Sequence, residues 1–259
     1  MPSTKVNNAE INYLFEDYGK ENTVVFSNSL GTNFSMWEKQ REEISKYFNI
    51  LLYDTRGHGQ SEVTKGDYSA ELLGNDLLQL TESLGINEFY FCGISMGGLI
   101  GQWLALNSNG RLKKLMISNT AAKIGTAEGW NSRIKSVSGN GLSSILDATA
   151  ERWFTDSFNK NHKNEVDGIL ENFSETPLQG YISNCAMVRD ADFRNDLDKI
   201  NIPTLIISGK YDEVTTVEDG NFLQKNIRNA EHIILETCHL SNFEKPTEFN
   251  SAIIQFLNQ

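Results

Sequence analysis

Residues 93–97 read Gly-Ile-Ser-Met-Gly, a serine held two residues from a glycine on either side. The pentapeptide ends the apolar run Glu88 to Gly93 and opens the helical pattern Leu99 to Leu106, so Ser95 sits at a strand-to-helix turn. A turn that tight needs glycine at both flanks and presents the serine Oγ at the end of the strand, as a nucleophile elbow does. A serine hydroxyl is a weak nucleophile at neutral pH, so it needs a base, and the base needs a carboxylate to orient it. Both follow in the order serine, acid, histidine: Asp212 closes a glycine turn after Thr204-Leu-Ile-Ile-Ser-Gly, and His239 follows His232 to Glu236. The chemistry open to this set is acyl transfer, with Ser95 as nucleophile, His239 as base and Asp212 as the orienting acid.

The competing residues fit less well. Glu213 neighbours Asp212, but the shorter side chain suits the turn. His232 lies inside a strand pattern, His162 in a helical stretch and His58 in a glycine-rich loop. An acid after the preceding strand could also serve, but Ser118-Asn119-Thr120 offers no carboxylate.

The elements that must position these residues read as an α/β chain. Strand-like runs fall at Ile11 to Glu16, Thr23 to Ser27, Phe48 to Asp54, Glu88 to Gly93, Leu112 to Ser118, Pro203 to Ser208 and His232 to Glu236. Longer periodic segments separate them, the pattern of a parallel sheet covered by helices. In Ser69 to Leu84, Leu73, Leu77, Leu80 and Leu84 give one apolar helical face. A last helix begins at Pro246, with Phe249, Ile253 and Phe256 on one stripe. From about Ala122 to Asn195 the strand signals stop and helical patterns take over. The expected organisation is a core of residues 1–121 and 196–259 with a helical cap inserted at 122–195.

The 259 residues suffice for one large domain with a sizeable core. A net charge of -11 with no Lys/Arg cluster argues against nucleic acid and against an anionic membrane surface. Neither a signal-type apolar N-terminus nor a run of about 18 apolar residues occurs, which makes the cytoplasm the expected location. Cys92, Cys185 and Cys238 are widely spaced and suggest neither a disulfide framework nor a zinc site.

With the elbow, Asp54-Thr-Arg-Gly-His-Gly-Gln-Ser61 and His239-Leu-Ser-Asn-Phe-Glu-Lys-Pro246, the chain resembles the α/β-hydrolase family over nearly its whole length. That resemblance gives Arg56 a loop-bracing role. Most relatives carry His-Gly where this chain has Asn28-Ser29, and the next residue supplies one oxyanion-hole N–H. By position that residue is Leu30, with Met96 supplying the other. Within the family, Ser27-Asn-Ser-Leu-Gly-Thr32 with Met36-Trp37, Gly101-Gln-Trp-Leu104, Ser118 to Gly125, Arg189-Asp-Ala-Asp192 and His239-Leu-Ser-Asn242 look like the β-ketoadipate enol-lactone hydrolases.

This closer resemblance implies hydrolysis of 3-oxoadipate enol-lactone, a step of aromatic catabolism, without metal or organic cofactor. Its substrate is a small lactone carrying a carboxylate, so a cation is expected near the cap-side pocket. Arg133 and Arg189 are the candidates, with Trp130 and Trp153 as pocket walls. Carboxylesterase or carbon–carbon bond hydrolase activity would use the same triad, and a ligand-binding receptor on this fold is the non-enzymatic alternative. Oligomeric state is left open.

Overall fold

The chain's leading residues form an antiparallel hairpin, β1 (Ser3–Val6) with β2 (Ala9–Glu16), in a computed structural model that describes residues 2–259. Asn7 and Asn8 make its two-residue turn at φ 46° and 62°, where asparagine is tolerated. The other strands are β3 (Thr23–Ser27), β4 (Asn49–Tyr53), β5 (Phe89–Ile94), β6 (Leu112–Ser118), β7 (Thr204–Gly209) and β8 (Ala230–Leu235). They join in one sheet of order β1-β2-β4-β3-β5-β6-β7-β8. From β4 to β8 every pairing is parallel, while β2 runs antiparallel to β4.

Seven strand positions match the sequence expectation, with ends displaced by at most two residues; β1 was not anticipated. Its sequence Ser-Thr-Lys-Val buries only Val6, so it carries no apolar alternation. The central strands are apolar throughout because both faces are covered: Val24, Val25 and Phe26 in β3 and Ile50, Leu51 and Leu52 in β4 are fully buried.

Helices α1 (Glu38–Ile44), α2 (Ala70–Ser83) and α3 (Met96–Asn107) fall between successive strands up to β6. Ser69 caps α2 by accepting from Leu72 N–H, and Leu73, Leu77 and Leu80 form its buried stripe. Between β6 and β7 the chain makes a wholly helical excursion: α4 (Ala127–Asn140), α5 (Leu146–Trp153), α6 (Asp156–Asn161), α7 (Lys163–Ser174) and α8 (Leu178–Asp190). Helix α9 (Val217–Asn226) joins β7 to β8, and the short α10 (Ser241–Glu244) leads into α11 (Pro246–Leu257). Among the described residues no helix is long and apolar enough to cross a membrane.

The strand order reverses between β3 and β5, since β4 lies to one side of β3 and β5 to the other. Parallel sheets open a crevice at such a switch point, beyond the carboxyl ends of the strands. The loop after β3 and the turn after β5 meet there.

Candidate active site

Ser95 is the residue between β5 and α3, and its backbone is strained. It adopts φ 56° and ψ −111°, a conformation that costs a non-glycine residue about 1–3 kcal/mol and persists only where its surroundings enforce it. Those surroundings are specific. Ser95 N–H donates to Ser118 O at 2.9 Å, and Thr120 Oγ1 donates to Ser95 O at 2.8 Å, so the exit of β6 holds the turn from both sides. A Cβ on Gly97 would lie 2.3 Å from Ser27 O, and one on Gly93 would lie 2.3 Å from Gly97 O. Both flanking glycines are therefore required by backbone contacts.

Asp212 follows β7 and His239 follows β8, so three strand ends deliver the three side chains to one sheet edge. His239 Nδ1 is 2.8 Å from Asp212 Oδ2, and both side chains are buried. Asp212 Oδ2 also accepts from Asn119 Nδ2 at 3.0 Å and Thr215 Oγ1 at 2.8 Å, while Oδ1 accepts from Val214 N at 2.8 Å and Thr215 N at 3.1 Å. Burial alone would raise the carboxyl's pKa. The charge of His239 and these hydrogen bonds outweigh it and hold Asp212 below the usual carboxylate range. Ser95 and His239 line one pocket, with no direct hydrogen bond between their side chains among the described residues. Such contacts are commonly loose in a free enzyme and tighten with substrate.

Leu30 lies in the loop after β3 and lines the same pocket. Neither its N–H nor that of Met96, the first in α3, has a protein acceptor among the described residues. The loop is held open from within: Asn28 Nδ2 donates to Thr32 O at 2.5 Å, and Thr32 Oγ1 donates to Ser29 O at 2.8 Å. Gly31 bears φ +80°, and a Cβ there would lie 2.4 Å from the Phe173 ring. The helical excursion adds a clamp, Thr176 Oγ1 donating to Gly31 O at 3.2 Å.

His58, which motif reading left without a role, completes this support. Its Nε2 accepts the Gly31 N–H at 2.8 Å, so the imidazole must be neutral, with the other ring nitrogen facing the Arg56 carbonyl. Complete burial lowers its pKa from 6.5 to about 4. As pH falls, the unfolded chain takes up this proton before the folded one does. The stabilisation is therefore complete above about pH 6.5 and is lost as pH falls towards about 4, some 3 kcal/mol in all. In His58→Leu, urea unfolding at pH 7 and pH 4 should show a stability loss about 3 kcal/mol smaller than in the wild type. Equal losses would place the acid-sensitive group elsewhere.

The remaining pocket wall comes from the helical excursion. Trp153 meets Phe173 edge-on at 5.5 Å, and Phe173 meets Tyr181 edge-on at 5.5 Å. Trp130 also lines it, anchored by Nε1–H to Ile124 O at 2.7 Å. Arg133 faces the pocket from α4, donating to Tyr181 OH at 3.1 Å and standing 5.8 Å from the Trp130 ring. Arg189 does not join them. At the end of α8 it is held outside by Asp67 at 3.2 Å and Asp190 at 2.7 Å, so the expectation that it faces substrate is corrected: two carboxylates already occupy its guanidinium. Arg152 takes a place in the pocket that sequence reading did not foresee. The available signal was that Thr149, Arg152 and Trp153 share one face of α5, and all three line the pocket. Arg56 is buried against Asp76 at 2.7 Å and donates to Asn7 O, bracing loops away from the pocket. Among the described residues, no group of three or more His, Cys, Asp or Glu side chains is arranged to hold a metal.

A strained serine on a strand-to-helix turn, with a buried His–Asp pair at the same edge of a largely parallel sheet, defines a class of fold and site. The chain belongs to the α/β-hydrolase family, whose fold model matches residues 22–140. Within that class it is similar to the enol-lactonases. It is 42% identical to 3-oxoadipate enol-lactonase 1 of Acinetobacter baylyi over 89% of this chain and 87% of the relative. The second such enzyme of that organism is 41% identical over 94% and 91%. The crystal structure of the enol-lactonase from Burkholderia xenovorans superposes with a TM-score of 0.98 at 38% identity and covers both chains completely.

Proposed function

We propose that this hydrolase converts 3-oxoadipate enol-lactone to 3-oxoadipate through an acyl-enzyme on Ser95. The observation that carries this reading is the similarity to 3-oxoadipate enol-lactonases along nearly the whole chain, pocket-forming helices included. In the proposed mechanism, Ser95 Oγ attacks the lactone carbonyl while His239 takes its proton. Leu30 and Met96 N–H groups bind the oxyanion, each such donor contributing about 3 kcal/mol. The ring C–O bond then breaks and expels an enolate, a better leaving group than an alkoxide. Protonation and tautomerisation to the ketone oppose reclosure. His239 next deprotonates a water that attacks the acyl-enzyme, releasing the new carboxylate and restoring Ser95, with Asp212 holding the imidazole throughout.

Residues 122–195 serve in this reading as a cap over a core of 1–121 and 196–259, and Arg133 receives the free carboxylate of the lactone between the Trp130 and Trp153 walls. The similarity to soluble catabolic enzymes supports a cytoplasmic site of action. The test is hydrolysis of the purified enol-lactone followed by loss of its ultraviolet absorbance. Rapid turnover supports the assignment. Failure on the lactone with efficient cleavage of neutral aryl esters would reassign the protein as a carboxylesterase.

A further inference from the structure

The chain carries 34 acidic residues against 23 basic ones, so an arginine near the surface readily meets a carboxylate. Arg41, Arg56, Arg189 and Arg194 do. Arg111 donates instead to backbone carbonyls and Thr81, and Arg228 lies exposed. Arg152 does neither. It is partly buried, forms no ion pair or hydrogen bond among the described residues, and lines the pocket that contains Ser95 and His239. Arg133 reaches the same pocket from a different helix, with Tyr181 OH as its one hydrogen-bond acceptor among the described residues. Burial pulls the Arg152 guanidinium below its ordinary pKa, and the charge of Arg133 adds to the effect. Two guanidiniums of one sign, drawn out of water beside each other, are unfavourable until an anion joins them. Each offers a planar fork that matches a carboxylate.

We propose that Arg152 and Arg133 form one two-guanidinium anion site, and that Arg152 restricts the pocket to acyl substrates bearing a carboxylate remote from the scissile bond. The proposal deepens the enol-lactonase reading and rests on it for the identity of the substrate, but the anion site itself can be measured without turnover. Arg133 and Arg152 also share a second groove, lined by Trp130 and Val214 with Glu213 as its one acid, so the two guanidiniums meet there as well. The absence of a hydrogen-bond or ion-pair partner for Arg152 among the described residues makes it a replaceable part of the fold: none of them loses a hydrogen bond when it is removed.

The test combines binding and turnover. Calorimetric titration of adipate, a dicarboxylate of the product's length, into the wild type, Arg152→Gln, Arg152→Lys and Arg133→Gln reads the anion site directly. Adipate affinity should fall about 30-fold in Arg152→Gln and less in Arg152→Lys, as expected for loss of a charge-assisted hydrogen-bonding partner. With the enol-lactone, Arg152→Gln should raise KM far more than it lowers kcat. The preference for the acidic lactone over a neutral aryl ester should drop by a similar factor. If Arg152→Gln binds adipate and lactone like the wild type while Arg133→Gln does not, the role of Arg152 is overturned and the enol-lactonase reading survives. If the wild type ignores the lactone, that reading fails. Arg152-dependent adipate binding then still supports the anion site, and binding indifferent to Arg152 rejects it.

Discussion

Ser95→Ala is expected to lower kcat for the enol-lactone by about 10⁶, the scale seen when a triad serine is removed from a hydrolase that otherwise keeps its site. The loss is large because the other groups act through Ser95 Oγ: in the proposed mechanism His239 has no proton to take, and the oxyanion N–H groups have no tetrahedral adduct to stabilise. Binding should persist, so adipate titration of the variant serves as the control for folding. A second measurement separates chemistry from architecture. Alanine retains a Cβ at φ 56° and keeps the backbone strain, whereas Ser95→Gly removes it. The glycine variant should be as inactive as the alanine variant but about 1 kcal/mol more stable in urea. Residual activity near one hundredth of wild type in either would remove Ser95 from the nucleophile role.

Legibility from the sequence followed how local each signal was. Ser95 could be read because its marks are local in sequence: Gly93 is needed by Gly97 O in the same turn, and Gly97, though needed by the distant Ser27 O, flanks the serine at a fixed spacing. The strands could be read because a strand buried on both faces must be continuously apolar, as Val24 to Phe26 and Ile50 to Leu52 are. The β1 edge strand escaped because only Val6 is buried, although the Asn7-Asn8 turn was a usable sign. Long-range partners were beyond reach. His58 supports Gly31 across 27 positions, and Asn119 supports Asp212 across 93; neither motif contains the other's partner. The arginines show the same limit from another side. Arg189 and Arg152 both lie near helix ends in the excursion, and their opposite placements depend on Asp67 and Asp190, which capture one, and on there being no ion-pair partner for the other among the described residues. Among the described residues four of the eight arginines are captured by a carboxylate, so which of the others faces the pocket is legible only once the fold is known.

Asp212→Asn is expected to lower kcat by about 10⁴ with little change in KM, and the hydrogen bonds around the carboxylate say why. Every neighbour of Asp212 is a donor: Val214 N–H and Thr215 N–H at Oδ1, and the His239, Asn119 and Thr215 side chains at Oδ2. An asparagine amide must turn its NH₂ towards one of these two groups. Facing the backbone, it breaks both loop hydrogen bonds and leaves the loop unsatisfied. Facing His239, it can bond only to an unprotonated Nδ1, which puts the proton on Nε2, where the imidazole can no longer accept from Ser95. The first keeps Nδ1–H bonded to the amide oxygen but disrupts the loop and removes the charge that stabilises the imidazolium, whereas the second disables the base with the fold intact. The variant also loses a stabilising carboxylate. Because the folded pKa of Asp212 is depressed, its contribution is present above the unfolded value and disappears as pH falls through the folded one. The wild type should therefore be more stable than Asp212→Asn at pH 7, with the gap closing under acid conditions, as urea unfolding across that range would show. Asn119→Ala supplies the matching control, since it removes one donor without altering the charge: a much smaller fall in kcat, with the tautomer of His239 by NMR unchanged, would identify the carboxylate as the group that fixes the base. A fall as deep as that of Asp212→Asn would transfer that role to the hydrogen-bond network as a whole.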